Sequence, residues 1–157
     1  MLKIKIIAVG KIKEKFLQSG IDEYLKRLQA FCKVEIINVN ETKFVGIPND
    51  EQIKKIVKSE SERIYKQIKE NEYVIATKIE GKEVTSVELA EKILKIEHQY
   101  STIDFIVGGS YGLPKDFHSN FNISFGKLTY PHQLFQLIMC EQVYRTFMIN
   151  NNRQYHK

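Results

Sequence analysis

The sequence predicts an α/β fold in which a mostly parallel sheet is flanked by helices. Short runs rich in β-branched residues alternate with longer segments whose apolar residues recur every three or four positions. The run Ile103–Val107 is apolar almost throughout, which is typical of strands covered on both faces. A length of 157 residues with 43% hydrophobic content fits one domain spanning residues 1–157.

The first half of the chain is predicted to contain three strands and two helices. Gly46 and Pro48 mark a loop, and Gly81 marks a turn between two charged residues, Glu80 and Glu83. The predicted order is a strand at Leu2–Val9, a helix at Glu14–Phe31, a strand at Val34–Val39, a loop at Asn40–Asn49, a charged helix at Asp50–Lys69 and a strand at Tyr73–Thr77.

The second half is predicted to add two strands and two helices. Thr85 and Glu88 form a capping box, which opens a helix that runs to about His98. Strands follow at Ile103–Val107 and Asn122–Phe125. Pro131 suits the first turn of the last helix, because an N–H group there would have no partner within the helix.

The last helix is apolar on nearly every side between Leu134 and Met148. Such a helix has to be covered on more than one face. In so small a domain we expect a second copy of the chain to provide one cover, which predicts a homodimer. The alternative is a monomer with one exposed apolar face.

Composition limits the classes of function. The 24 Lys and Arg residues against 19 Asp and Glu give a net charge of +5, which permits an anionic partner such as nucleic acid without proving one. The two cysteines and four histidines lack metal-ligand spacing, so we expect free thiols and no metal. No apolar run reaches the roughly 18 residues of a membrane span, and we expect a cytoplasmic protein without a membrane contact.

Three glycines in five residues end the strand at Ile103–Val107. Ligands of parallel sheets bind beyond the carboxyl ends of the strands, where Gly108, Gly109 and Gly112 lie. Their spacing matches neither a dinucleotide fingerprint nor a phosphate loop, and Ser110 does not stand in a hydrolase nucleophile elbow. A ligand-binding turn and a plain turn therefore fit the local pattern equally well.

Two further segments are candidates for function. Phe125–His132 joins a short strand to the last helix at the level of the glycines, and its amides and apolar side chains are typical of a small-molecule pocket. Asn150–Lys157 mixes cations, amides and two flat rings, a composition that binds phosphates and stacks on bases. An ordinary connection and a frayed terminus are the respective alternatives.

Six motifs taken together resemble one family. They are A-V-G-K at Ala8–Lys11, E-G-K at Glu80–Lys82, G-G-S-Y-G at Gly108–Gly112, Y-P-H-Q at Tyr130–Gln133, E-Q-V-Y-R at Glu141–Arg145 and Y-H-K at Tyr155–Lys157. In them the chain resembles the RlmH family, the ribosomal RNA large subunit methyltransferases H of the SPOUT class, from the first strand to the last residue. The resemblance implies a homodimer whose C-terminal part forms a trefoil knot, an exception to the rule against knots.

The resemblance also implies a cofactor, a substrate and a site. Members bind S-adenosylmethionine in the knot and methylate N3 of a pseudouridine in the 23S rRNA of the assembled ribosome. Carried over by motif, the cofactor site comprises Thr77, Gly108, Phe125, Gly126, Lys127, Leu128, Thr129 and Tyr130. Gly108 and Gly109 would clear space for the ligand. Thr77 stands where leucine is expected, and Lys157 stands where some relatives carry arginine.

The implied chemistry assigns roles to the C-terminal residues. Attack on a sulfonium methyl is a direct displacement, so the enzyme mainly aligns the reactants and handles the proton of N3. His156 is the candidate base or proton carrier, and Arg145 and Tyr155 are candidate positioners of phosphate and base. A structural role for Arg145, pairing with a carboxylate across the dimer, is the alternative. His132 is predicted to be a helix-start or interface residue.

Two other functions remain open at this point. A non-catalytic ribosome or RNA-binding module of the same fold would keep the basic tail without a donor pocket. An α/β enzyme that uses a different nucleotide would share only the glycines at a strand end. The sequence also leaves open whether the tail serves its own subunit or the partner.

Overall fold

The computed structural model describes all residues, 1–157, and its core is one five-stranded sheet. Its strands are β1 (Lys3–Val9), β2 (Lys33–Val39), β3 (Tyr73–Glu83), β4 (Thr102–Val107) and β5 (Phe121–Ser124), and its helices are α1 (Lys15–Leu28), α2 (Asp50–Tyr65), α3 (Ser86–Ile96) and α4 (His132–Asn150). The strand order is β2-β1-β4-β3-β5, and each neighbouring pair is parallel. The predicted α/β fold with a mostly parallel sheet and flanking helices is confirmed.

Helices cover both faces of the sheet. Ile4, Ile6 and Ala8 of β1 join the core formed with α1, α3 and α4, whereas Ile7 and Val9 join the smaller core formed with α2. This alternation follows from the two-residue period of a strand. β4 is buried from Ile103 to Val107, as its nearly continuous apolar run predicts. Burial on both faces therefore holds the carboxyl ends of β1 and β4 at one fixed level.

β3 is longer than the sequence predicts. The predicted turn around Gly81 is wrong, because the strand continues to Glu83 and pairs with β5 after a register shift between Thr77 and Lys82. A Cβ atom at Gly81 would lie 2.8 Å from the main-chain carbon of Ile123. Glycine is needed here for close approach of two strands, and the charged residues around it are solvent-exposed strand positions.

The two cysteines are free, as predicted, and both are buried. Burial raises the pKa of Cys32 to about 12 and likewise that of Cys140 to about 12, so both thiols stay protonated and inert at neutral pH. None of the helices combines the length and the apolar content that crossing a membrane requires.

A buried charged cluster lies at the amino ends of β1 and β4. Lys5 Nζ donates to Glu72 Oε2 and to the carbonyl of Gln67, both at 2.6 Å, and lies 3.5 Å from Asp104 Oδ1. Burial raises the pKa of Asp104 to about 7. Burial also disfavours ionised Glu72, but the hydrogen bonds from Lys5 and from the Lys69 amide prevail and lower its pKa.

We predict that Asp104→Asn flattens the pH dependence of stability. Folded Asp104 keeps its proton to about pH 7, whereas an unfolded aspartate ionises near pH 3.9, so the wild-type carboxyl destabilises the fold progressively between about pH 4 and pH 7. The free energy of unfolding of the variant minus that of the wild type should therefore be larger at pH 8 than at pH 5. Urea unfolding at both pH values measures this difference, and a smaller difference at pH 8 than at pH 5 would contradict the prediction.

Lys5→Met removes the cation of the same buried cluster. It leaves Glu72 and Asp104 buried without a cation, and we expect it to cost about 3–5 kcal/mol at pH 8. The same urea titrations report this change in the free energy of unfolding.

Candidate active site

A cavity of about 360 Å³ opens at the carboxyl end of β4, beside residues Thr77–Glu80 of β3 and against the segment that joins β5 to α4. Small-molecule sites have volumes of roughly 300–1,000 Å³. The cavity is lined by most of the residues predicted to bind a cofactor, namely Thr77, Gly108, Phe125, Gly126, Leu128, Thr129 and Tyr130. The fold thus brings together residues that are far apart in the sequence.

The glycine turn at residues 108–112 forms one wall of this cavity. A Cβ atom at Gly108 would lie 2.7 Å from the main-chain carbon of Gly112, and one at Gly109 would lie 2.9 Å from Val9 Cγ1. The expectation that these glycines clear space for a ligand is therefore wrong, because the space belongs to the protein itself. The turn needs glycine to fold back tightly and to pack on β1.

Gly112 is required for a different reason. It has a φ of +75°, a Cβ atom added to it would meet no atom within 4 Å, and its N–H donates to the Gly109 carbonyl at 3.0 Å. The N–H groups of Ser110 and Tyr111 have no main-chain acceptor. The turn therefore carries unpaired backbone donors in two residues that belong to the cavity lining.

Thr77 enters the cavity wall from β3. Its Oγ1 donates to the Ile106 carbonyl of β4 at 2.8 Å. The hydroxyl proton is thus used in a strand-to-strand contact, which leaves the main chain of Thr77 and the acceptor capacity of Oγ1 for a ligand.

The segment from Phe125 to Tyr130 forms the opposite wall. The rings of Phe125 and Tyr130 both pack on Phe135 of α4, with centroids 4.8 Å and 5.8 Å away. Gly126 has a φ of +102°, and its N–H donates to Ser124 Oγ at 3.2 Å. Lys127 is exposed and does not belong to the lining, unlike its two neighbours Gly126 and Leu128. Packing on α4 therefore holds this wall in place while Lys127 faces solvent.

Ser110 and His132 line the cavity. The sequence predicted no role there for Ser110, and it placed His132 at the end of the candidate pocket segment Phe125–His132 and at the start of the last helix. His132 is the first residue of α4, and its Nδ1 lies 3.4 Å from Ser110 Oγ. Buried Gln136, one turn later, donates to the Gly10 carbonyl at 3.2 Å and accepts from Asn38 at 3.0 Å. This network fixes the start of α4 against the ends of β1 and β2. In the sequence, a polar glutamine inside an otherwise apolar helix was the feature that could have indicated it.

The three predicted catalytic residues form a separate cluster around Glu141. Arg145 makes two hydrogen bonds to the Glu141 carboxylate, at 3.1 Å and 3.2 Å, and the Tyr155 hydroxyl donates to it at 2.9 Å. The Arg145 guanidinium also lies over the Tyr155 ring, 4.8 Å from its centroid. Glu141 thus organises the cluster, which the sequence could not reveal because the contact depends on how the tail folds back.

The protonation states within this cluster follow from its hydrogen bonds. Burial, together with the Tyr24 and Glu141 contacts, raises the pKa of Tyr155, so its hydroxyl stays protonated at neutral pH. Hydrogen bonding to Glu141 raises the pKa of Arg145. Arg145 Nη1 lies 3.0 Å from His156 Nδ1. Because a guanidinium only donates, His156 accepts at Nδ1 and carries the proton of its neutral ring on Nε2.

The cluster and the cavity lie apart within one chain. None of Arg145, Tyr155 and His156 lines the cavity. An α-helix rises 1.5 Å per residue, so Arg145 stands about 20 Å along α4 from His132.

No three His, Cys, Asp or Glu side chains lie close enough together to hold a metal ion.

Nearly the whole chain is similar to known proteins. A family model described as "Predicted SPOUT methyltransferase" matches residues 2–156. Relatives named "Ribosomal RNA large subunit methyltransferase H" are 45% identical in Oenococcus oeni, over 100% of both chains, and 46% identical in Pediococcus pentosaceus, over 99% of this chain and 100% of that protein. A further protein of this name, from Ligilactobacillus salivarius, is 45% identical with the same coverage as the Pediococcus protein.

The resemblance drawn from six short motifs is therefore confirmed over the full length of the chain. A pocket at the carboxyl edge of a parallel sheet is the fold-level position for a ligand in such proteins. The chain belongs to the SPOUT methyltransferases, within the family of ribosomal RNA large subunit methyltransferase H.

Proposed function

We propose that this protein is a homodimeric, cytoplasmic enzyme that transfers a methyl group from S-adenosylmethionine to N3 of a pseudouridine in the 23S rRNA of the assembled ribosome. The cavity between the glycine turn and the Phe125–Tyr130 segment carries the proposal. The names of the relatives support the large-subunit rRNA as substrate. The trefoil knot of the SPOUT class is part of this proposal, with Phe125–Tyr130 as the knot loop.

The cavity lining fits S-adenosylmethionine. The free N–H groups of Ser110 and Tyr111 can hydrogen-bond the polar edge of a heterocycle, and those of Leu128 and Thr129 likewise have no main-chain acceptor. Phe125 and Leu128 provide apolar walls. When bound, the cofactor supplies an electrophilic methyl group on a sulfonium, so alignment is the main task left to the protein.

A second copy of the chain would complete the site. Leu134 and Ile138 of α4 are half-buried yet pack against neither core cluster, which supports a further apolar cover. Arg145 lies about 15 Å along α4 from Phe135, the last lining residue on that helix, and this separation supports a tail that serves a cavity other than its own. We propose that the tail of each subunit serves the partner's cavity.

The tail residues then divide the chemistry. N3 is a weakly acidic imide nitrogen, and the positive charge of Arg145 would stabilise its deprotonated form. His156, with its proton on Nε2, would donate to a carbonyl oxygen of the base, and accepting the N3 proton would require its ring to leave Arg145. Tyr155, which stays protonated, would position these groups through Glu141.

Calorimetry with S-adenosylmethionine tests the proposal first. We expect saturable binding to the purified protein, and no measurable binding would overturn it. Mass mapping of 23S rRNA from a strain that lacks the gene then separates the enzyme from a non-catalytic module. We expect one methyl group to be lost from a pseudouridine, whereas an unchanged pattern would favour the module.

Gly108→Ala should weaken cofactor binding by at least about tenfold. Its Cβ would collide with Gly112 at 2.7 Å and open the turn that forms one cavity wall. Gly112→Ala is the matched control, since it adds backbone strain of roughly 1–2 kcal/mol but meets no neighbouring atom. Calorimetry gives the dissociation constant of S-adenosylmethionine for both variants. An equal increase of this constant in the two variants would contradict the assigned role of Gly108.

Deletion of Tyr155–Lys157 should abolish methylation of ribosomes and leave the dissociation constant of the cofactor unchanged within about threefold. The reason is that these residues lie outside the cavity. Loss of both properties together would contradict this division of labour.

Tyr155→Phe is a milder version of the same test. It keeps the ring but removes the hydroxyl that donates to Glu141, and kcat should fall about tenfold with the KM for cofactor unchanged. Tyr100→Phe is the control, because Tyr100 is also half-buried and packs edge-on against another tyrosine, Tyr73, on a distant part of the fold.

A further inference from the structure

We infer that Lys11, Lys13 and Lys15 form a basic ridge that binds phosphates of the RNA substrate beside the cavity. This inference rests on the proposed function and adds a contact surface to it. All three side chains are exposed, and none forms an ion pair with any carboxylate of the chain. Their charges are therefore available to a partner.

The backbone directs this ridge outward. Residues 11–14 form neither helix nor strand, and Ile12 is partly buried against the main core. Lys11 and Lys13 flank Ile12, so in an extended segment their side chains point away from the core. Lys15 continues the row as the first residue of α1.

Two contacts hold the ridge next to the cavity. Gly10, with a φ of +89°, turns the chain at the end of β1, and a Cβ there would lie 3.2 Å from Nε2 of His132, a lining residue. The N–H of Lys13 donates to Gln133 Oε1 at 2.8 Å. The ridge thus lies beside the start of α4, whose first residue, His132, lines the cavity.

Stability of the protein does not explain these lysines. Lys15, the first residue of α1, places a positive charge at the end of the helix where the dipole disfavours it, and the N-cap residue Glu14 makes neither a capping hydrogen bond nor an ion pair. A row of unpaired cations beside a cavity whose bound cofactor would meet one nucleotide complements the phosphates on either side of that nucleotide. RNA phosphates are thus favoured over an acidic protein surface as the partner.

The test is a triple variant, Lys11→Gln, Lys13→Gln and Lys15→Gln. Its matched control carries Lys33→Gln, Lys66→Gln and Lys69→Gln, which removes the same charge from three exposed, unpaired lysines at the opposite edge of the sheet. For each protein, methylation of ribosomes is measured over a range of salt concentrations, together with binding to protein-free 23S rRNA and calorimetric binding of S-adenosylmethionine.

For the ridge variant we expect a KM for ribosomes raised about tenfold near 0.15 M salt, with kcat and cofactor binding unchanged. Its slope of log affinity for free rRNA against log salt should shrink by about 2–3, close to one unit per lysine. The control variant should match wild type in every measurement.

Other outcomes have definite meanings. An unchanged KM, or equal effects in the ridge and control variants, would overturn the inference. A raised KM with an unchanged salt slope on free rRNA would also overturn it, since the lysines would then contact a ribosomal protein. Failure of the wild-type protein itself to bind cofactor or methylate ribosomes would instead overturn the proposed function on which the inference rests.

Discussion

The tight packing of the glycine turn on itself and on β1 is the constraint on which the candidate site depends. Gly108 approaches the backbone of Gly112, and Gly109 approaches Val9, so closely that only hydrogen fits at both positions. The buried strands β1 and β4 hold this turn at the edge of the sheet. A rigid wall with free backbone donors results, and the aromatic contacts of Phe125 and Tyr130 with α4 set the wall that faces it.

Helix α4 imposes the second constraint, because it joins the two functional parts and also separates them. Its first turn is pinned at the cavity by Gln136, and its later turns carry Glu141 and Arg145, which hold the tail. A helix is a stiff spacer of fixed length. The same element that positions both parts within one subunit thus also keeps them apart there, which is the reason for proposing that the tail of one subunit serves the cavity of another.

Much of this arrangement could be predicted from the sequence, and the failures have physical reasons. The period of apolar residues identified all strands and helices, and the capping box of Thr85 and Glu88 is present as expected. The extension of β3 was missed because its residues are exposed and charged, so strand pairing leaves no apolar pattern. The reason for Gly108 was misjudged because a sequence shows that a side chain is absent but not which neighbour excludes it. The role of Glu141 depends on the path of the tail, which no local pattern encodes.

The most direct test of a site shared between two subunits uses mixed dimers. One subunit lacks Tyr155–Lys157 but keeps its cavity, and the other keeps its tail but carries Gly108→Ala; the two are purified together through different tags. The truncated homodimer should not methylate ribosomes, and the Gly108→Ala homodimer should have little activity at a cofactor concentration near the wild-type dissociation constant, at which all assays are run. Because the intact tail can reach the intact cavity only across the dimer, the mixed dimer should recover about half of wild-type activity. A mixed dimer as inactive as its parents would contradict the account.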